Sequence, residues 1–272
     1  MTQKEKALRF QELHKRPGVL LLPNPWDAGS ARILTGLGFE ALATSSGAAA
    51  GTFGRRDGYL TRDEALESVR AIVNATDLPV SGDLENGFGD TPEAAAKTVR
   101  LAAEIGLVGC SIEDAAGGKN PKLYELELAK ERVAAAVEAA RSLPFQFTLL
   151  ARAENFFRGK PDLNDATRRL LAYQAAGADA LSAPALPDIA AVRTICSAVS
   201  KPVNFMVGAR GRSFSIAELA DAGVKRISFA TSLYRAAMNG LIQAATEAKQ
   251  NGTFGFVDQI IITPDLNKFF PE

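Results

Sequence analysis

Two cysteines and a single histidine are all that this 272-residue chain offers of the side chains on which most zinc sites and nucleophilic triads depend. Cys110 and Cys196 are too few for a disulfide framework or a thiolate metal cluster, and their apolar surroundings suit small core residues. A Ser-His-Asp triad or a histidine zinc site would have to recruit His14, which lies in a charged N-terminal segment. Neither sign of charge dominates: 31 Lys and Arg balance 31 Asp and Glu, which gives no electrostatic reason to expect a nucleic acid or a membrane as partner. No apolar run approaches membrane-spanning length, and Met1 to Arg16 mixes Lys with Glu, unlike a secretory leader or a transit peptide. A cytoplasmic location is the resulting expectation.

What is present is ordinary globular material, 47 % hydrophobic and 23 % charged, in a chain long enough to bury a substantial core. From Gly18 onward one pattern recurs: a short apolar run, a polar or glycine-containing loop, then an amphipathic helical stretch. The runs predict strands at Val19–Leu22, Ala41–Ser45, Val80–Asp83, Gly109–Glu113, Phe147–Arg152, Ala180–Ala183, Val203–Val207 and Arg226–Phe229. Helices are predicted at Gly29–Leu37, Arg62–Asn74, Pro92–Ile105, Leu123–Ser142, Leu163–Ala176, Asp188–Val199, Ile216–Ala222 and from Ser232 to about Gln250. Gly38, Gly106, Gly177 and Gly223 supply helix C-caps, while Thr61 with Glu64 and Thr91 with Pro92 mark starts.

Eight strands alternating with eight helices predict a (β/α)8 barrel in a single domain over residues 1–272. The competing doubly wound sheet is weakened because no G-x-G-x-x-G fingerprint follows the first strand. Beyond Gly252 the tail carries Phe254, Phe256, Ile260–Ile262 and Phe269–Phe270, apolar enough to need cover from a neighbouring subunit.

In such a barrel the chemistry belongs at the C-terminal ends of the strands. Strand one ends at Asn24-Pro25-Trp26-Asp27, and strand two at Ser45-Ser46-Gly47, followed by a glycine-rich loop to Arg55-Arg56-Asp57-Gly58. Strand three offers Asp83 and Glu85, on one face if the chain stays extended, and Gly87 and Gly89 allow a sharp exit and close approach by a ligand. Strand four offers Ser111 and Glu113, with Asp114 on the other face, and strand five ends with Arg152 and Glu154. Each has a plainer reading: a solvated acidic turn, a helix cap such as Asp27, or an Arg152 that merely pairs with Glu154 or Glu113. Three carboxylates from two neighbouring strands aimed at one mouth nevertheless suggest a hard divalent cation, Mg²⁺ rather than Zn²⁺. Arg152 then supplies a planar fork for a substrate carboxylate, and Ser45-Ser46-Gly47 supply hydroxyl and N–H donors.

Taken in order, Ser45-Ser46-Gly47, Gly54-Arg55-Arg56-Asp57, the run from Gly82 to Gly89, Ser111-Ile112-Glu113-Asp114 and Ala151-Arg152-Ala153-Glu154 resemble the isocitrate lyase/phosphoenolpyruvate mutase superfamily. Ala175 to Ala180 and Lys201-Pro202-Val203-Asn204 fit as well, so the likeness covers nearly the whole chain. The resemblance implies a Mg²⁺-dependent lyase, with Mn²⁺ as the alternative ion, that cleaves a C–C bond of a small 2-oxo or 2-hydroxy dicarboxylate through an enolate. It implies Asp83 as direct metal ligand, with Glu85 (Asp in many relatives) and Glu113 holding metal-bound waters. Asp57, Arg152 and Glu113 would be the catalytic set, and Ser45, Ser46, Gly47, Asp83, Arg152, Asn204 and Trp26 would face the substrate. It also implies a homotetramer, a dimer of dimers, with swapped terminal helices.

Two departures matter. The Lys-Lys-Cys-Gly-His loop of isocitrate and methylisocitrate lyases is replaced by Ala115 to Tyr124, without Cys or His, so those two activities are disfavoured. The Lys-Asn pair of phosphonopyruvate-type members is only loosely matched by Lys119 and Asn120, in a segment whose Gly117 and Gly118 suit a gating lid. Asp57, Tyr124 and Lys119 are the candidates for proton transfer. The alternatives are an enzyme acting on a C–P bond and a non-catalytic 2-oxo-acid-binding protein on the same fold.

Overall fold

Short apolar segments that are buried on both faces can satisfy their backbone only by pairing with one another, and here they do so in sequence order. The structure is a computed structural model that describes residues 1–117 and 122–270. Its strands are β1 (Leu20–Leu22), β2 (Leu42–Ala43), β3 (Val80–Asp83), β4 (Gly109–Glu113), β5 (Thr148–Arg152), β6 (Ala180–Ser182), β7 (Val203–Met206) and β8 (Arg226–Ser228). All pairings are parallel, in the order β1-β8-β7-β6-β5-β4-β3-β2. The two ends of that sheet meet where Ala43 N–H donates to Pro23 O at 3.1 Å and the Asn24 amide donates to Thr44 O at 2.6 Å. A doubly wound sheet would leave two open edges and reverse its order midway; this one closes nearly into a (β/α)8 barrel.

The surrounding helices begin where the sequence places caps. Asp27, Thr61, Thr91, Asp162, Asp188 and Ser215 each accept a backbone N–H with the side chain, opening α2 (Ala28–Gly36), α4 (Arg62–Asn74), α5 (Pro92–Glu104), α7 (Leu163–Ala175), α8 (Ile189–Ala198) and α9 (Ile216–Asp221). Between α5 and α7 lies α6 (Leu126–Arg141), and α10 (Ser232–Asn251) follows β8. At Gly106 the chain leaves α5 with φ 98°, a left-handed turn that a side chain would strain.

Three segments depart from the sequence pattern. The charged N-terminus is a helix, α1 (Gln3–Lys15), because Ala7, Phe10 and Leu13 recur at helical spacing behind the charges. They pack on Leu20, Leu22, Ala41, Ala43 and Val108 and plug the N-terminal end of the barrel. The stretch after β2, expected as a loop, is also helical: α3 (Ser46–Thr52) is carried by Ala48–Ala50 in spite of its glycines. Glu85 does not continue β3, which ends at Asp83; its φ is 49°.

The tail forms a 3₁₀ turn over Gly255–Gln259 and α11 (Thr263–Asn267). Phe254, Val257 and Ile260–Ile262 stay exposed, Ile262 at 61 %, while Phe269 folds back onto Gly36 of α2. Among the described residues no helix is long and apolar enough to cross a membrane.

Phe10 is fully buried in the plug, so Phe10→Ala is expected to cost about 3–5 kcal/mol of unfolding free energy. Urea denaturation measures this, and a loss below about 1 kcal/mol would mean that α1 does not seal the barrel.

Candidate active site

Parallel register brings the chemistry together. Asp83 ends β3 opposite Ser111 of β4, and Glu113 ends β4 opposite Arg152, the last residue of β5. Neighbouring strands lie about 4.8 Å apart, so side chains at these three ends must meet. Arg152 Nη1 donates to Asp83 Oδ1 at 3.0 Å, Nη2 lies 3.2 Å from Glu113 Oε2, and Nε donates to Glu154 Oε1 at 2.9 Å. Asp83 Oδ1 also accepts from Ser111 Oγ at 3.3 Å, and Oδ2 from the Ser46 backbone N–H at 3.1 Å. Arg158, in the loop after β5, donates through Nη2 to Glu113 Oε1 at 2.7 Å. Both oxygens of Glu113 are therefore held by guanidinium groups.

These groups line a cavity of about 330 Å³ at the barrel mouth, together with Ser45, Ser46, Gly47, Asp57, Glu85, Ala116, Gly117 and Arg235. Its charge is uneven. Burial and the charge of Asp83 push the Asp57 carboxyl up, and burial followed by the charges of Asp83 and Asp57 pushes Glu85 up to about 7. Glu113 is also pushed up, by burial and by Glu154, against the pull of its two arginines. Among the described residues Asp57 and Glu85 thus form no ion pair, whereas Asp83, Glu113 and Glu154 are held by Arg152, and Glu113 by Arg158 as well.

Of the ten site residues expected from sequence, Ser45, Ser46, Gly47, Asp57, Asp83, Glu85, Glu113 and Arg152 line this cavity. Gly47 has no room for a side chain: a Cβ would sit 2.9 Å from Thr231 Cγ2 and 3.2 Å from the Asp57 carboxyl. The Ser45 hydroxyl is already used, accepting the Ala48 N–H at 3.3 Å at the start of α3. Trp26 and Asn204 stand apart. Trp26 packs edge-on against Tyr234 with ring centroids 5.5 Å apart, and Asn204 lies deeper in the barrel, bonded to Ser228 and Arg226. Among the proton-transfer candidates, Tyr124 is committed elsewhere, donating to Asp90 at 2.6 Å and accepting from Asn86 at 2.9 Å. Gly118, Lys119 and Asn120 lie outside the described residues.

Other expectations shift for physical reasons. Gly87 and Gly89 make room for a helix rather than a ligand, since a Cβ at Gly87 would be 2.9 Å from Ala95 Cα and one at Gly89 would be 2.7 Å from Ala94 Cβ, both in α5. Asp114, on the far face, takes Arg169 at 3.0 Å and the Tyr173 hydroxyl, which makes it an anchor for α7. Arg158 and Arg235 were not foreseen. The signal for Arg158 was its place one helical turn beyond Glu154 in a strand-end loop; Arg235 carries none, being one more basic residue in a helical pattern.

The phosphoenolpyruvate phosphomutase family model matches residues 10–249. The chain is similar to a candidate lyase/mutase from Burkholderia cenocepacia J2315, at 48 % identity and TM-score 0.96, covering 99 % of this chain and 97 % of that one. A candidate phosphonomutase from the same organism is 37 % identical with TM-score 0.83, over 92 % of this chain and 99 % of that one. The 2-methylisocitrate lyase of Escherichia coli K12 is 30 % identical over 258 residues, 91 % of this chain and 85 % of the relative.

Glu85 leads to a pH prediction for metal-free protein. A carboxyl whose folded pKa exceeds its ordinary 4.5 binds protons preferentially in the native state. Its contribution to stability is complete below pH 4.5 and is lost as pH rises through about 7. Thermal melts in EDTA at pH 5 and 7.5 should therefore show a smaller drop for Glu85→Gln than for wild type. An equal drop would place Glu85 in solvent.

Proposed function

This chain belongs to the phosphoenolpyruvate phosphomutase family, and we propose that it is a divalent-metal-dependent lyase cleaving a C–C bond of a small 2-oxo or 2-hydroxy dicarboxylate. One observation carries the proposal: a buried guanidinium and, among the described residues, two carboxylates that form no ion pair share one small cavity at the barrel mouth. That pairing suits a substrate with a carboxylate at one end and an oxygen that becomes negative at the other.

The donors are of the type a hard cation prefers, although among the described residues no three carboxylate, His or Cys side chains converge closely enough to hold one as they stand. Asp57, Asp83 and Glu85 supply only oxygen, and Asp57 and Glu85 are pushed up first by burial and then by neighbouring carboxylate charge, which a cation beside them would offset. We assign Mg²⁺, with Mn²⁺ as substitute, to Asp83 with Glu85 and Asp57 beside it. When bound, the ion supplies positive charge for the keto oxygen on which negative charge develops. Glu113, its two oxygens occupied, is assigned to positioning Arg152 and Arg158.

The chain's own residues do the rest. Were Asp83 to turn to a bound cation, Arg152 Nη1, which it now engages, would be free for a substrate carboxylate. Asp57, with its pKa raised by burial and by Asp83, is the group in the cavity suited to accept a proton from a substrate hydroxyl. As that proton leaves, the hydroxyl carbon becomes a carbonyl and the C–C bond breaks. Its electron pair passes to the α-carbon of the other fragment, whose carboxylate delocalises it, with the proton taken up by Asp57 available to return to that carbon. Protonation at carbon then completes that fragment.

A second reading, action on a C–P bond, is favoured by the 37 % identity to a candidate phosphonomutase. The exposed apolar tail and α10, which buries no residue of its own, support assembly as a homotetramer, a dimer of dimers.

A panel of 2-oxo and 2-hydroxy dicarboxylates and phosphonopyruvate, assayed with Mg²⁺ and with EDTA, tests the proposal. Metal-dependent cleavage of a dicarboxylate is expected; full activity in EDTA would overturn it, and turnover of phosphonopyruvate alone would select the C–P reading. Asp83→Ala should weaken Mg²⁺ binding at least about tenfold by titration calorimetry. Arg152→Lys keeps the charge but loses the fork, and should raise KM about tenfold or more. An unchanged value in either case would remove that residue from its role.

A further inference from the structure

The inside of the barrel continues below the mouth. A second cavity of about 40 Å³ extends beneath Asp83 and Arg152 toward the N-terminal ends of the strands, lined by Ser81, Ser182, Asn204, Arg226 and Ser228. Arg226, the first residue of β8, is only 3 % exposed. Its Nε donates to Asn204 Oδ1 at 3.1 Å, its Nη1 lies 3.5 Å from His14 Nε2, and its guanidinium carbon is 5.8 Å from the Phe10 ring centre. His14 Nδ1 bonds Phe10 O at 2.7 Å, which puts the ring proton on Nδ1 and leaves Nε2 as an acceptor for Arg226.

Arg226 therefore has neutral partners for only part of its N–H set. It forms no ion pair with any carboxylate among the described residues; Asp83, at the upper end of the cavity, is turned to Arg152, Ser46 and Ser111. Burial draws its pKa down to about 10, which leaves it charged at neutral pH. A buried charge without a counter-charge is costly, and the usual remedy is an opposite charge close by. The walls favour donors: the Ser228 hydroxyl accepts the Asn204 amide at 3.0 Å, so its own proton is free to turn inward. The space is enough for one small ion with a water.

We propose that this cavity binds a small monovalent inorganic anion of chloride size, held by Arg226 and the Ser228 hydroxyl. It acts as a structural counter-ion between the α1 plug and the floor of the mouth. This assignment does not depend on the reaction at the mouth.

The full-length protein is melted in sodium chloride and in sodium gluconate at equal ionic strength, gluconate being too large to enter. Chloride should raise the melting temperature by about 2–4 °C. Crystals grown in bromide should show an anomalous peak beside Arg226. Asn204→Asp supplies a built-in carboxylate next to Arg226 Nε, and should abolish both the salt difference and the bromide peak. Equal melting in the two salts, water alone at the site in bromide crystals, or a full chloride effect in Asn204→Asp would each overturn the proposal. If that variant does not fold, the wild-type melts and the bromide map decide.

Discussion

Arg152 is the charge about which the mouth of this barrel is arranged. It reaches Asp83 from β3, Glu113 from β4 and Glu154 from its own strand end, and Glu154 is wholly buried. Carboxylates at adjacent strand ends would repel in so dry a place, and a planar cation with several forked donors is the side chain that can bridge all three. Arg158 extends the bridge by taking the free oxygen of Glu113. Asp57 and Glu85 feel these arginines only in part, and burial together with the neighbouring carboxylates still leaves both pushed up.

This uneven distribution separates two jobs within one cavity. On one side the carboxylates are paired with arginines; on the other, Asp57 and Glu85 form no ion pair among the described residues. A mouth neutralised throughout would have little to offer a metal, and one without arginines would have little to offer a carboxylate. Some polar atoms are left without partners on the paired side: Glu154 Oε2 and Arg158 Nε are buried without a hydrogen bond, 3.7 Å apart. Their closeness keeps opposite charges together even where the bond geometry fails.

Most of the frame was legible because it is written in short-range patterns. Strand ends at Asp83, Glu113 and Arg152, caps at Thr61 and Thr91, and the glycine after α5 are local signals, and the parallel register turns them into neighbours. What was not legible depended on tertiary partners. Charge composition concealed α1, whose role lies in three apolar residues facing the barrel floor. Alternation placed Glu85 correctly on the cavity for the wrong reason, since the chain turns left-handed there instead of staying extended. The family resemblance implies that Trp26 and Asn204 face the substrate, yet one lies against Tyr234 and the other in the barrel interior. No spacing rule distinguishes a strand-end residue that points up from one that points down.

Closing the lower end with Phe10 and its neighbours makes the barrel a blind vessel with one doorway. A reaction that splits one molecule into two then releases both products on the same side. A fragment seated against Arg152, as proposed, would be the deeper of the two, with the rim side as its way out. The seal at the bottom thus directs exchange to the top, where the charged groups stand.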